Sequence, residues 1–274
     1  MSNDKDLVLF EHNENIDKIK HENYQVGKVT ILDSETKFVK FKGFNKVIVS
    51  GSAFTASKHF NIKPKVFTPS YNTVLGLDHT VPDDFEGEGI RKEEQVFLFA
   101  VGTSGCGDEP NQVFDVDYTK WIQPEDLVPF RWQNKNNDLG TYMRDKYFGR
   151  KTESDGSVKY YFKAFEAPPE IKQEYADGTP IDENIYLSDR KDEVSTYVEL
   201  NLKITKDDCR DFFLKTTGIK DARVNAISIL TAYKVEYEGF TYYQNIRPLT
   251  LIHFPSELLV DISKGIDVIY QIFY

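Results

Sequence analysis

The stretch Ile219–Tyr274, IKDARVNAISILTAYKVEYEGFTYYQNIRPLTLIHFPSELLVDISKGIDVIYQIFY, decides the reading of the fold. Within it Val224–Ala232, Tyr242–Phe254 and Asp267–Tyr274 are rich in β-branched and aromatic residues and are separated by glycine, proline and charge, which is the composition of three neighbouring strands. In the last run Val268, Tyr270, Ile272 and Tyr274 fall on one face and Ile269 and Phe273 on the other, so both faces ask for cover. A closing strand of that kind is expected to be held inside a sheet, because as a free edge it would template pairing with another chain.

Working back from that stretch, Ser195–Ile204 alternates with period two, placing Val198, Leu200, Leu202 and Ile204 on one face of a strand with one wet side. Lys206–Thr216 then reads as a helix, with Thr205 and Asp208 as a weak capping pair and Gly218 as the stop. Gln95–Val101, QVFLFAV, is a near-continuous apolar run of strand length and the best candidate for a central strand. Ser157–Phe165 reads as a strand after the Asp155-Gly156 turn, and Val113–Trp121 as a further strand.

Nearer the start, Lys28–Leu32, Lys37–Phe41 and Lys46–Ser50 suggest a three-stranded meander, with turns at Asp33-Ser34 and Gly43. Ala53–Phe60 reads as a short helix capped by Ser52, and Tyr71–Leu77 as an extended piece within a loop. The spacing of Leu139, Tyr142, Met143 and Tyr147 predicts an amphipathic helix over Asp138–Phe148 that stops at Gly149, and Pro168–Tyr175 a second one that starts at proline. The expected fold class is therefore α+β and mostly β. An antiparallel β-sandwich core would come from an N-terminal segment, 1–63, and a C-terminal segment, 191–274, with a mixed region, 64–190, inserted between them and a few short helices.

Composition narrows the function. The chain has 274 residues, enough for a sizeable core, and 14% aromatic residues against 2 Met, a balance that leans toward β structure or interfaces. A net charge of −10 argues against recognition by phosphate neutralisation, so no nucleic acid is expected as a partner. The dense basic runs Lys37–Lys46 and Arg144–Lys151 are interleaved with aromatics, but solvated faces account for them. No run approaches the roughly 18 apolar residues of a membrane span, and no signal-peptide pattern opens the chain, so no membrane partner is expected. Two cysteines, Cys106 and Cys209, make no disulfide framework and fit a reducing cytoplasm.

The motifs that could carry chemistry are near misses. Gly102–Gly107 is glycine-rich, but no Gly-Lys-Ser/Thr follows, and Asp108 and Glu109 would repel phosphate; a second glycine one place early also spoils a Gly-x-Ser-x-Gly elbow. Asp84, Glu86, Glu88 and Gly89 approach a calcium loop, yet Gln95 stands where its bidentate glutamate belongs. The histidines His12, His21, His59, His79 and His253 have no metal-ligand spacing. Neither a metal, a cofactor nor a catalytic residue is therefore assigned.

In Tyr118–Gln133, YTKWIQPEDLVPFRWQ, two prolines make an extended stretch carrying Trp121, Phe130, Arg131 and Trp132. That is the aromatic-plus-arginine composition of protein interfaces, and equally of tryptophans plugging a core under a long loop. Arg247 before Pro248 admits two readings as well: pairing with a carboxylate at a subunit contact, or standing on an edge where the proline interrupts the ladder.

The C-terminal order of strand, hairpin, Tyr243-x-x-x-Arg247-Pro248, apolar strand and closing aromatic strand resembles the C-terminal end of a baseplate wedge subunit of contractile-tailed bacteriophages. The resemblance covers roughly the last 50 residues, with no residue-by-residue correspondence in the middle of the chain. It implies a structural, β-rich, dimeric virion protein without catalytic activity, assembled in the host cytoplasm, with itself and other tail or baseplate proteins as partners. Trp121, Phe130, Trp132, Tyr243 and Arg247 are then the expected interface anchors. The alternatives are a carbohydrate-binding module or hydrolase that uses surface aromatics and acidic loops, and a head or neck connector of the same kind of virion.

Overall fold

The three closing runs are strands, but they are not all neighbours. In the computed structural model, which describes residues 26–62, 70–78, 94–106, 112–135, 137–181, 189–218, 223–237, 239–255 and 265–274, they form β10 (Ala226–Tyr237), β11 (Phe240–His253) and β12 (Ile266–Phe273). β10 and β11 make a long antiparallel hairpin. Between β11 and β12 lies the N-terminal hairpin, β1 (Val26–Asp33) and β2 (Val39–Val47). β12 thus gains a partner on each edge, with Tyr270 opposite Val29 of β1 and opposite Leu200 of β9 (Val194–Ile204). Its faces are unequal, however: Val268, Tyr270 and Ile272 are buried, whereas Ile269 and Phe273 on the other side are only half-buried, so one face rather than both is fully covered. Joining the chain's ends is inexpensive, since loop-closure entropy grows only logarithmically with length.

The middle segment feeds the same sheet. It supplies β3 (Gln95–Gly102), β4 (Leu127–Val128), β5 (Arg131–Gln133), β6 (Tyr147–Thr152), β7 (Val158–Ala164) and β8 (Glu170–Tyr175). The strand order is β5-β7-β3-β10-β11-β2-β1-β12-β9-β8, with β4 on β3 and β6 on β7, and every pairing is antiparallel. The expected central strand Gln95–Val101 is internal, between β7 and β10. The fold is mostly β, one large antiparallel sheet that curls on itself, with a few short helices.

The curl can be read from the core. Val29 and Ile31 of β1, Leu200 and Leu202 of β9, and Val268 and Tyr270 of β12 share one apolar cluster with Phe99 and Val101 of β3 and Ile227 and Ile229 of β10. The two halves of the sheet therefore face each other, and each fully buried Leu, Ile or Phe adds about 1.5–3 kcal/mol of burial. The other face of the β3-β10-β11 section carries Leu98, Ala100, Leu230 and Leu251 and is covered by a short helix, α2 (Tyr71–Leu75), with Leu77 and Ile122. Tyr71 is wholly buried there, and its hydroxyl donates to the carbonyl of Ile122 at 2.8 Å, which satisfies the polar end of the ring.

Several elements differ from the sequence expectation. The meander is a hairpin: Gly43 is no turn but pairs with Val29 inside β2, where the Phe41 ring lies within 2.4 Å of where a Cβ would be. Its glycine is needed for close approach, one of the two things a strand glycine can mean. The third run is split between the end of β2 and helix α1 (Val49–Phe60), whose N-cap is Ile48 rather than Ser52 and which stops at Asn61 in the left-handed region, φ 52°. Tyr71–Leu77 holds α2 instead of an extended piece, ended by Gly76 at φ 61°. Of Val113–Trp121 only Val113 pairs, in an isolated bridge to Cys106.

Asp138–Phe148 contains a single helical turn, α3 (Thr141–Arg144), after which Tyr147 and Phe148 pair with Lys163 and Phe162. Pro168–Tyr175 is not helical either, because β9 offers an edge on which Glu170–Tyr175 pairs as β8. Helix α4 (Arg210–Thr216) is shorter than expected and starts later: its N-cap is Cys209, in the left-handed region at φ 61° and without a side-chain cap, while Asp208 Oδ2 accepts the Thr205 N–H at 2.8 Å in the turn before it. The acidic window Asp83–Arg91 lies outside the described residues, as do His12, His21 and His79.

Candidate functional site

The five expected interface anchors occupy separate places. Phe130 is 1% exposed and packs edge-on against Phe99, so it belongs to the chain's own core. Trp121 is half-buried with its ring 4.8 Å from that of Tyr71, the plugging role that was its other reading. Trp132 is held more elaborately: its Nε1 donates to Ser157 Oγ at 3.0 Å, and the ammonium groups of Lys159 and Lys215 lie 4.2 and 4.6 Å from the ring centroid. Two cations on one indole fix that ring. Arg247 pairs within the chain with Glu94, at 3.8 Å.

Tyr243 leads to a concavity among the described residues. It packs against Phe97 and, edge-on, against Phe148. A bulge in β3 puts it there: Leu230 pairs with Leu98 and Thr231 with Val96, so Phe97 is the extra residue and turns to the Tyr243 side. The concavity, of about 240 Å³, is lined by residues from α2 and its exit, from the Asp138–Arg144 segment, from β6 and β7, and from the start of β11.

One part of its wall is aromatic, from Phe148, Phe240 and Tyr243, and another is a chain of alternating charge. Arg150 joins the two carboxylates: its Nη1 donates to Asp78 and its Nε to Asp138 at 3.2 Å. Arg144 reaches the same Asp138 oxygen at 3.3 Å, donates from Nε to the Leu139 carbonyl, and lies over the Phe240 ring. Asp138 further accepts from the Tyr160 hydroxyl and the Leu139 N–H, while Asp78 accepts from the N–H and hydroxyl of Thr152.

These contacts set the charge states. Burial alone would raise the Asp138 carboxyl, but the Tyr160 hydroxyl, the Leu139 N–H, Arg150 and Arg144 outweigh it and hold the group below its ordinary range. Burial raises Tyr160, and the Asp138 carboxylate beside it adds to that shift. Arg150 is raised as well, because Asp138 and Asp78 outweigh its partial desolvation. The wall thus joins two acidic and two basic side chains in one hydrogen-bonded array.

Arg144 and Arg150 come from the basic run that sequence alone assigns to a solvated face. The missed signal is the nearby Asp138, which becomes their partner once the segment turns into β6. The glycine-rich segment is engaged internally, with the Gly105 N–H on Asn225 Oδ1 at 2.8 Å. Among the described residues no group of three or more His, Cys, Asp or Glu is placed to hold a metal ion, and no helix is long and apolar enough to cross a membrane.

Comparison with protein-family models, with curated proteins and with solved structures gave no match to the chain. The functional reading rests on the residues and the fold.

Proposed function

We propose that this chain is a structural subunit of a tailed-phage virion, a baseplate wedge component that acts through contacts with a second copy of itself and with other tail or baseplate proteins. The resemblance at Tyr243-x-x-x-Arg247-Pro248 motivates the reading. The observation that carries it is the set of large apolar side chains left in water near the start of the chain. Phe38 (70% exposed) and Phe44 (64%) stand on the β1-β2 hairpin, and Phe60 (74%) and Ile62 (63%) at the end of α1. Exposed aromatics in such number suit contacts with protein.

In this reading the role is mechanical, with obligate interfaces that bury on the order of 2,000 Å² or more and that rearrange when the tail contracts. The sheet supplies a rigid frame, and the hairpin and α1 present the contacts. Native mass spectrometry of the purified chain, alone and mixed with tail proteins of the same virion, tests it. A dimer or larger assembly weakened by Phe38→Asp with Phe44→Asp is the expected result; a strict monomer at high concentration that joins no assembly sinks the reading. A head or neck connector would behave alike in the first experiment and differ in which virion proteins it joins.

A further inference from the structure

We propose that the concavity between β6, α2 and the start of β11 binds one uncharged pyranose ring. This site stands apart from the protein contacts above. Its lining decides among ligand classes.

The polar wall carries Asp78, Asp138, Arg144 and Arg150, two negative and two positive groups. It attracts neither sign strongly: an anion drawn to Arg150 meets Asp78 and Asp138 on either side of it, and a cation drawn to the carboxylates meets the arginines. A wholly apolar ligand would strip water from four charged groups without replacing its hydrogen bonds. A polyol suits the array, because each hydroxyl both donates and accepts and can bridge a carboxylate to a neighbouring guanidinium. Capacity remains for this, since Arg144 commits its Nε hydrogen to Leu139 and one Nη2 hydrogen to Asp138, leaving the rest of its fork.

Pyranose rings also have a face of C–H groups. Phe148 and Tyr243, packed edge-on, and Phe240 beneath the Arg144 guanidinium provide an apolar surface for it within the same cavity. At about 240 Å³ the space falls below the roughly 300–1,000 Å³ of pockets that take drug-sized ligands, which restricts the occupant to a single ring.

Saturation-transfer NMR on the intact protein tests the proposal with glucose, galactose and N-acetylglucosamine as neutral probes and glucuronate and inorganic phosphate as anionic ones. Transfer to at least one neutral sugar is expected, strongest at the C–H groups of one ring face, with a Kd of about 1 mM. Arg144→Ala and Phe240→Ala should each weaken binding tenfold or more, and Phe44→Ala should leave it unchanged. Thr241→Trp, which fills the cavity from a half-buried strand position, should abolish binding even where Phe240→Ala fails to fold. No transfer to any neutral sugar, transfer that survives both Arg144→Ala and Thr241→Trp, or binding confined to phosphate or glucuronate overturns the proposal. The oligomeric state of the same samples is read independently, so failure here does not bear on the assembly role.

Discussion

Lys163 Nζ lies 2.9 Å from Asp208 Oδ2 with both side chains withdrawn from water, at 3% and 0% exposure. Asp208 also accepts from the Tyr147 hydroxyl at 2.6 Å and the Thr205 N–H at 2.8 Å, with Arg131 Nη2 at 3.2 Å. Lys163 donates besides to the Lys203 carbonyl at 2.7 Å. The cluster pins β5, β6 and β7 to the connection between β9 and α4, two parts of the sheet far apart in strand order. Asp208→Ala leaves Lys163 and Arg131 buried without their counter-charge and should cost about 3–5 kcal/mol. Lys163→Met combined with Asp208→Leu should cost clearly less than the sum of the single changes. Urea denaturation of the wild type, Asp208→Ala, the two single variants of the pair and their combination measures both, and a loss under about 1 kcal/mol for Asp208→Ala would show that the cluster does not hold the fold together.

Acid should loosen the N-terminal hairpin first. Asp33 accepts from the Thr36 N–H at 2.8 Å, the Thr36 hydroxyl at 2.9 Å and the Glu35 N–H at 3.1 Å, closing the turn between β1 and β2. The Thr36 bonds chiefly lower its carboxyl to about 2. A folded value below the unfolded one, about 3.9, means that stability is present above pH 4 and is lost as pH falls toward 2. Asp33→Asn should thus be less stable than the wild type at neutral pH and show a flatter acid limb between about pH 4 and 2. Thermal denaturation across that range checks the sign; parallel limbs for the two proteins would count against it.

The strands that period and composition announced most clearly are those with one buried face. Leu200, Leu202 and Ile204 of β9 and Val268, Tyr270 and Ile272 of β12 are all inside. What sequence could not give was pairing. Nothing local in β12 says that the hairpin near the start of the chain will lie between it and β11. Local signals failed where tertiary contact overrode them: the helical spacing of Asp138–Tyr147 is real, but Tyr147 serves the Asp208 cluster and Phe148 packs on Tyr243, which only a strand on β7 permits. The candidate site was legible only at Tyr243. Its charged wall joins Asp138, Arg144 and Arg150, which are close in sequence, to the distant Asp78, and no spacing records that meeting.

The two thiols should react at very different rates. Cys209 is wholly buried, and burial first, then the neighbouring Asp208, pushes its thiol well above the ordinary range. Cys106 is half-buried and sits in a surface bridge with Val113, its Sγ 3.3 Å from the Phe254 carbonyl. A thiolate-trapping reagent at neutral pH should label Cys106 in the native protein and reach Cys209 only on unfolding. Peptide mass mapping after timed labelling shows which thiol reacts, and native labelling of Cys209 as fast as that of Cys106 would mean that the core around Cys209 opens readily.

Gly149 carries the sharpest steric demand in the candidate site. Its φ is +69°, and a Cβ there would stand 2.3 Å from Cδ2 of Phe162, a fully buried ring that also packs against Tyr71. Gly239, at φ +80°, has the same backbone demand but open space around it. Gly239→Ala should therefore cost only the left-handed penalty of about 1–2 kcal/mol. Gly149→Ala adds overpacking of about 1–3 kcal/mol, because Phe162 has no room to retreat. Denaturant midpoints of the two variants separate the contributions. Costs that agree within about 0.5 kcal/mol would mean that the Phe162 ring yields freely and that backbone angle alone selects glycine at position 149. A larger cost at Gly149 identifies the β6-β7 hairpin as rigid where Arg150 leaves it, which is what an ordered charged wall opposite the aromatic side chains requires.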